Sequence, residues 1–216
     1  MTSNQPIAHS SSTPNKSRAQ IRADIRRLRQ QLTKLEQQQA SAAISAKLSL
    51  HPQVVAADSI AVYLANDGEL DLVDFIQWCW QQNKQVYLPV IHPFCKGNLL
   101  FLHYLPSTPL VNNKYGISEP KLNVGNVLPV AQLDVLITPL VAFDSTGNRI
   151  GMGGGFYDRT LATWHKLFIQ QPKQSNKQHS KQIKPFPLGV AHTCQKIAEV
   201  PVEHWDIPLA EILSPE

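Results

Sequence analysis

Ile150-Gly151-Met152-Gly153-Gly154-Gly155-Phe156-Tyr157-Asp158-Arg159 holds four of the chain's ten glycines within five positions. An apolar run at residues 134–143 precedes it and reads as a buried strand. An apolar-periodic run at residues 156–168 follows and reads as a helix. Strand, glycine loop and helix start, in that order, make a place where a phosphate can sit. Glycines let the backbone approach a ligand closely, and free amides at a helix start point at an anion. Arg149 enters the loop and can pair with phosphate through two hydrogen bonds. Asp158 leaves it and can hold a magnesium ion through oxygen. The loop fits no common phosphate motif. In G-x-G-x-x-G register its sixth position is Phe156, and no Gly-Lys-Ser/Thr follows. The plainer reading is a tight turn that packs a helix on a sheet. The neighbours Arg149, Tyr157 and Asp158 favour a ligand site.

Outward from this unit, strands and helices alternate. Residues 59–65 form a short apolar strand, closed by the turn chemistry of Asn66-Asp67-Gly68. Glu69 then stands at the start of a helix whose buried stripe is Leu72, Phe75, Ile76, Cys79 and Trp80. An acid in a first turn favours the helix dipole, which is the bland account of Glu69. The end of a parallel strand is also where ligand residues gather in α/β folds. Residues 85–91 and 99–105 are further strands, joined closely enough for a hairpin, so the sheet need not be wholly parallel. Residues 106–129 are irregular and hold Tyr115-Gly116-Ile117-Ser118-Glu119-Pro120; loops of this length often serve function. Residues 186–191 and 211–213 supply the last strands. Nearer the N-terminus, Ile21, Ile25, Leu28, Leu32 and Leu35 recur at spacings of four and three, as on one helix. Arg18, Arg22, Arg26, Arg27 and Arg29 cover its other faces; the bland reading is a solvated basic face, and another is that one or two of these arginines reach an anionic ligand. A second helix over 37–50 ends at His51-Pro52. The alternation predicts an α/β fold, a three-layer α/β/α sandwich on a largely parallel sheet.

Composition bounds the function. At 216 residues and 43% hydrophobic, the chain suits one domain with a full core. Residues 1–17 read as a disordered polar tail, 18–216 as a single domain, and 170–184 as a polar insertion loop within it. The net charge of +4 sits largely in two short segments. That argues against a uniformly basic nucleic-acid surface and permits a small anionic ligand. Cys79, Cys95 and Cys194 are odd in number and widely spaced, as reduced thiols are. The histidines show no paired metal spacing, and no nucleophile elbow is present. No run approaches transmembrane length and the first fifteen residues lack a signal-type apolar stretch, so the expected location is cytoplasmic.

Pro139-Leu140-Val141-Ala142-Phe143-Asp144, followed by Gly147, Arg149, Gly151, Gly153, Gly155 and Phe156-Tyr157-Asp158-Arg159, resembles the signature of the 5-formyltetrahydrofolate cyclo-ligase (5,10-methenyltetrahydrofolate synthetase) family. The likeness runs from Arg18 to Leu213 outside 170–184. It implies a sandwich resembling the NagB/RpiA/CoA-transferase-like fold. It also implies an enzyme that uses ATP and magnesium to convert 5-formyltetrahydrofolate to 5,10-methenyltetrahydrofolate, releasing ADP and phosphate. By position it implies ATP contacts at Arg18, Arg22, Arg149, Ile150, Gly151, Met152, Gly153, Gly154, Gly155, Phe156 and Tyr157. Folate contacts would fall on Arg22, Leu64, Glu69, Met152, Gly153, Gly154, Gly155 and Phe156, and magnesium on Asp158 and Asp206. The implied catalytic set is Arg149, Gly153, Gly155 and Tyr157. Arg18 stands where the family usually carries lysine, and Ala210 where an acid often follows the second aspartate. Small-molecule substrates, no nucleic acid or membrane partner, and a monomer are expected. Two rival readings are a catalytically silent relative that regulates by binding folate or nucleotide, and a nucleic-acid binder using the basic helix.

Overall fold

The structure is a computed structural model that describes residues 16–170 and 183–216. The expected tail up to residue 15 and the insertion at 171–182 lie outside the described residues. In chain order come helices α1 (Arg18–Gln30), α2 (Lys34–Leu50) and α3 (Pro52–Ala56), strand β1 (Ser59–Ala61), helix α4 (Val73–Gln81), and strands β2 (Gln85–Ile91) and β3 (Leu99–His103). Strands β4 (Leu110–Asn112), β5 (Ser118–Pro120), β6 (Val127–Leu128), β7 (Val135–Pro139), β8 (Ala142–Phe143) and β9 (Arg149–Ile150) follow, then helix α5 (Phe156–Ile169) and strands β10 (Phe186–Val190) and β11 (Glu211–Leu213).

Seven strands form the main sheet in the order β11-β10-β7-β1-β2-β3-β6. Pairing is parallel from β11 to β2, while β3 runs antiparallel to both β2 and β6. The strand period of two sorts the core into layers. Ile60, Val86, Leu88, Val135 and Ile137 face one side, where Ile44 and Leu48 of α2 and Phe75, Ile76 and Cys79 of α4 cover them. Ala61, Tyr87 and Leu136 face the other, against Leu161 and Trp164 of α5. The three-layer expectation holds, including the antiparallel β2–β3 hairpin.

Several local expectations change. The first apolar stripe does not run through one helix. Thr33 opens a capping box with Glu36 and starts α2, leaving Leu28 and Leu35 exposed. Arg29, read as part of a solvated face, is fully buried. Ser17, placed in the tail, caps α1 in a second such box with Gln20. The run at 134–143 is two strands. The chain leaves the sheet after Pro139, and β8 pairs with β9 instead. The side-chain amide of buried Gln195 takes up the freed carbonyls of Leu140 and Val141, at 2.6 and 3.0 Å. Ile21 and Ile25 of α1 pack on this β8–β9 hairpin. Residues 106–129 contain a second hairpin, β4–β5. At the edges of the insertion, Ile183 packs against the α5-side core and Lys184 pairs with Asp134.

Candidate functional site

The chain leaves β1 towards β2 and returns with β7 on the other side of β1. In open α/β sheets the crevice beyond the strands' carboxyl ends at such a reversal is the usual ligand site. A cleft of about 520 Å³ opens there. Tyr63, Leu64 and Glu69 line it after β1, and Pro89 and Ile91 at the end of β2. Tyr115 and Ile117 come from the β4–β5 tip, and Met152, Gly154, Phe156, Tyr157 and Asp158 from the loop and helix start.

The glycines are needed for backbone geometry. Gly153 has φ of 100° and Gly155 of 63°, both in the left-handed region that L side chains rarely enter. Gly155 is the N-cap of α5, so no side chain caps that helix and its first amides stay open to a ligand. A Cβ at Gly153 would stand 3.6 Å from the Arg22 guanidinium, whose Nε donates to the Gly151 carbonyl at 2.8 Å. The Arg159 guanidinium donates to the carbonyls of Gly154 and Gly97, tying the loop to the β2–β3 connection. Asp144 anchors the β8–β9 turn. Burial opposes its ionisation, but bonds from Thr146, Val200 and Asn148 hold its carboxyl below the usual range.

Two arginine–aspartate pairs stand beside the loop. Arg149 Nη2 donates to Asp158 Oδ1 at 2.7 Å, and its Nη1 donates to the Ile207 carbonyl. Burial pulls the Arg149 pKa down, against the charges of Asp158 and Asp206. Arg18 grips both carboxylate oxygens of Asp206 and reaches the Pro201 carbonyl at 3.0 Å. Burial resists ionisation of Asp206, yet Arg18 and the Glu203 amide hold its pKa low. The Arg18 side chain is 22% exposed, so it is not a frayed end. Arg18 and Arg22, one helical turn apart, thus reach this side of the molecule together.

Glu69 stands elsewhere on the cleft. It does not begin a helix, because α4 starts at Val73 and takes its first-turn acid from Asp74. The helix-dipole account therefore falls. Glu69 closes the turn through residues 66–69: its amide donates to the Asn66 carbonyl at 3.0 Å, and its carboxylate accepts the Asn66 amide at 3.1 Å. Burial lifts its pKa to about 7, opposed by the Asn66 amide and by Arg29 and reinforced by Asp67. Burial, followed by the charge of Glu69, also raises the phenols of Tyr63 and Tyr157, so both remain hydrogen-bond donors.

The structure brings Leu64, Glu69, Arg149, Gly151, Met152, Gly154, Gly155, Phe156, Tyr157 and Asp158 to one cleft. Ile150 is wholly buried behind it, and Arg18 and Asp206 pair beside the loop. Reading by motif missed Tyr63, Pro89, Ile91 and Asn113 on the cleft wall. Only Tyr115 and its neighbours gave a signal, as part of a long irregular stretch; the Tyr115 ring meets Phe156 edge-on, centroids 6.2 Å apart.

Fold and site together define an α/β enzyme with a small-molecule cleft at the strand ends. The chain belongs to the 5-formyltetrahydrofolate cyclo-ligase family, whose profile matches residues 14–215, and is a ligase of that family. It is 50% identical over 197 residues to the 5-formyltetrahydrofolate cyclo-ligase of Haemophilus influenzae, covering 91% of this chain and 96% of that one. The enzyme of the same name from Escherichia coli K12 is 49% identical over 191 residues, covering 88% and 96%. Among solved structures, the 5,10-methenyltetrahydrofolate synthetase of Aquifex aeolicus superposes with a TM-score of 0.71 at 24% identity, covering 90% of this chain and 88% of that one. That of Mycoplasma pneumoniae gives 0.66 at 20% identity, covering 93% and 100%. At these identities the superpositions speak for the fold.

Proposed function

We propose that the protein converts 5-formyltetrahydrofolate to 5,10-methenyltetrahydrofolate with ATP and magnesium, releasing ADP and phosphate, as a cytoplasmic monomer. The observation that carries this reading is one cleft with a half-buried carboxylate, Glu69, on one wall and the uncapped glycine loop with Arg149 on another.

The residues fit the two groups the family implies. Gly151 faces open space, and the room beside Gly153 is what a side chain would fill. Asp158 and Asp206 are oxygen donors, and magnesium usually takes one or two carboxylates and completes its shell with phosphate and water. When bound, magnesium neutralises charge on the phosphates. Loop amides, Arg22 and Arg149 would hold those phosphates, with Arg18 beside them. Glu69 would accept from donor nitrogens of the pterin, with Leu64 and Phe156 against its apolar faces.

A formamide oxygen is a weak nucleophile and a poor leaving group. In the proposed route it attacks the γ-phosphorus of ATP, and ADP departs. N10 then bonds to the activated formyl carbon and loses its proton. The carbon–oxygen bond breaks and phosphate leaves. Such chemistry needs positioning and charge neutralisation more than a covalent nucleophile. That suits a site built of glycine amides and arginines. The test is methenyl absorbance with pure protein, with and without ATP and magnesium. Folate binding with no methenyl product would overturn the reading in favour of a silent relative.

A further inference from the structure

The last turns of α1 grip the turn that carries Glu69. Asp67 has φ of 51°, in the left-handed region that few non-glycine residues enter. Three side chains of α1 hold its carboxylate. Arg26 Nε donates to Oδ2 at 2.7 Å, Arg29 Nη2 to the same oxygen at 2.8 Å, and Gln30 Nε2 to Oδ1 at 2.7 Å. Arg29 is completely buried, and its Nε and Nη1 have no hydrogen-bond partner among the described residues. Its ion pair is with Asp67. A buried pair of this kind is a poor device for stability, since apolar side chains of similar volume often serve as well or better. Its position suggests another use. Two residues beyond Asp67 the same turn delivers Glu69, which bonds back to Asn66 and lines the cleft.

We propose that Asp67, clamped by Arg29 and Arg26, is the positioning residue that aims Glu69 into the cleft and sets the field it stands in. This rests on the reading of Glu69 as the folate carboxylate. The clamp acts in two ways. It holds a left-handed turn that would otherwise relax, and it places one cation and one anion close to Glu69. The groups facing Glu69 are Arg29 from α1, Asp67 from its own turn, Tyr63 from the segment after β1, and Tyr157 from α5. Arg29 favours the ionised carboxylate and Asp67 opposes it. Substitutions at the two ends of one ion pair therefore displace the titration of Glu69 in opposite directions, which loss of packing would not do.

The experiment is a binding titration of 5-formyltetrahydrofolate across pH 5 to 9, with melting curves, for the wild type and for Glu69→Gln, Asp67→Asn, Arg29→Lys, Arg29→Gln and Arg26→Gln. Asp67→Asn should bind about ten-fold more weakly at high pH, as when one charge-assisted hydrogen bond is misaimed. Its pH midpoint should move down, that of Arg29→Gln should move up, and Arg29→Lys should stay near the wild type. Arg26→Gln, at the exposed edge of the clamp, should show a smaller loss of affinity and serves if the buried variants do not fold. The proposal is overturned if folded Asp67→Asn binds like the wild type, if Arg26→Gln does so where Asp67→Asn cannot be made, or if both midpoints stay put or move together. If Glu69→Gln also binds like the wild type, the underlying reading of Glu69 fails. If Glu69→Gln weakens binding while Asp67→Asn does not, only the positioning role is lost.

Discussion

Arg149 and Asp158 meet at 2.7 Å across the glycine loop, one on the strand that enters it and the other in the first turn of the helix that leaves it. The pair closes the loop on itself, and the second hydrogen bond of Arg149, to the Ile207 carbonyl, fastens the C-terminal segment to it. Arg18 and Asp206 repeat the arrangement next door. Each aspartate proposed for magnesium is thus paired with an arginine proposed for phosphate, while Arg22 donates to the Gly151 carbonyl.

Asp158→Asn keeps an acceptor for Arg149 and removes the charge. The variant should fold. Its half-saturating magnesium concentration should rise about ten-fold, the loss of one charge-assisted contact. An unchanged magnesium titration would take Asp158 out of the metal site.

Glu69 gives a pH signature in the free protein. Its pKa is about 7 when folded, above the ordinary 4.5. The folded state therefore holds this proton more tightly than the unfolded one. The contribution is full below the unfolded pKa and is lost as pH rises towards 7 and beyond, by about 3 kcal/mol at most. Chemical denaturation of the wild type should show this decline, and Glu69→Gln should flatten it. The same variant should weaken folate affinity about ten-fold or more. A stability profile that Glu69→Gln leaves unaltered would show that the carboxyl is not buried as described.

Gly154→Val tests the loop. A Cβ there would lie 2.7 Å from the Phe156 ring, which lines the cleft. The ring must rotate away, while the branched side chain blocks the backbone from phosphate. The Michaelis constants for ATP and folate should both rise, with a melting temperature close to that of the wild type. Steady-state kinetics in each substrate would check this, and normal ATP kinetics in a folded variant would reduce the loop to a turn.

Arg18→Ala breaks the grip on Asp206. The freed carboxylate should titrate at higher pH, so the acid-unfolding midpoint should move up. The Michaelis constant for ATP should increase as well. Arg18→Lys, which restores a cation without the planar fork, should recover much of the ATP effect and less of the acid resistance. A shift in acid stability with no change in ATP kinetics would make Arg18 a structural residue alone.

The sequence determined what depends on near neighbours along the chain. The short apolar runs in Gln85–Ile91 and Glu211–Leu213 specified strands whose ends the structure matches residue for residue. The glycines of the loop and the short β2–β3 connection needed no tertiary knowledge either, because backbone permission and loop length are local properties. Tertiary packing decided the rest. Arg29 is buried and Leu28 exposed because α1 turns the face with Ile21, Ile25 and Arg29 to the β8–β9 hairpin and the Asp67 turn, a choice that periodicity alone does not make. Glu69 proved to be a turn residue because α4 begins only at Val73. Arg18 and Asp206, separated by 188 residues, meet because α1 lies against the C-terminal segment. Charge pairing acts through space and leaves no periodic mark on the chain, so such partners become visible only once the layers have packed.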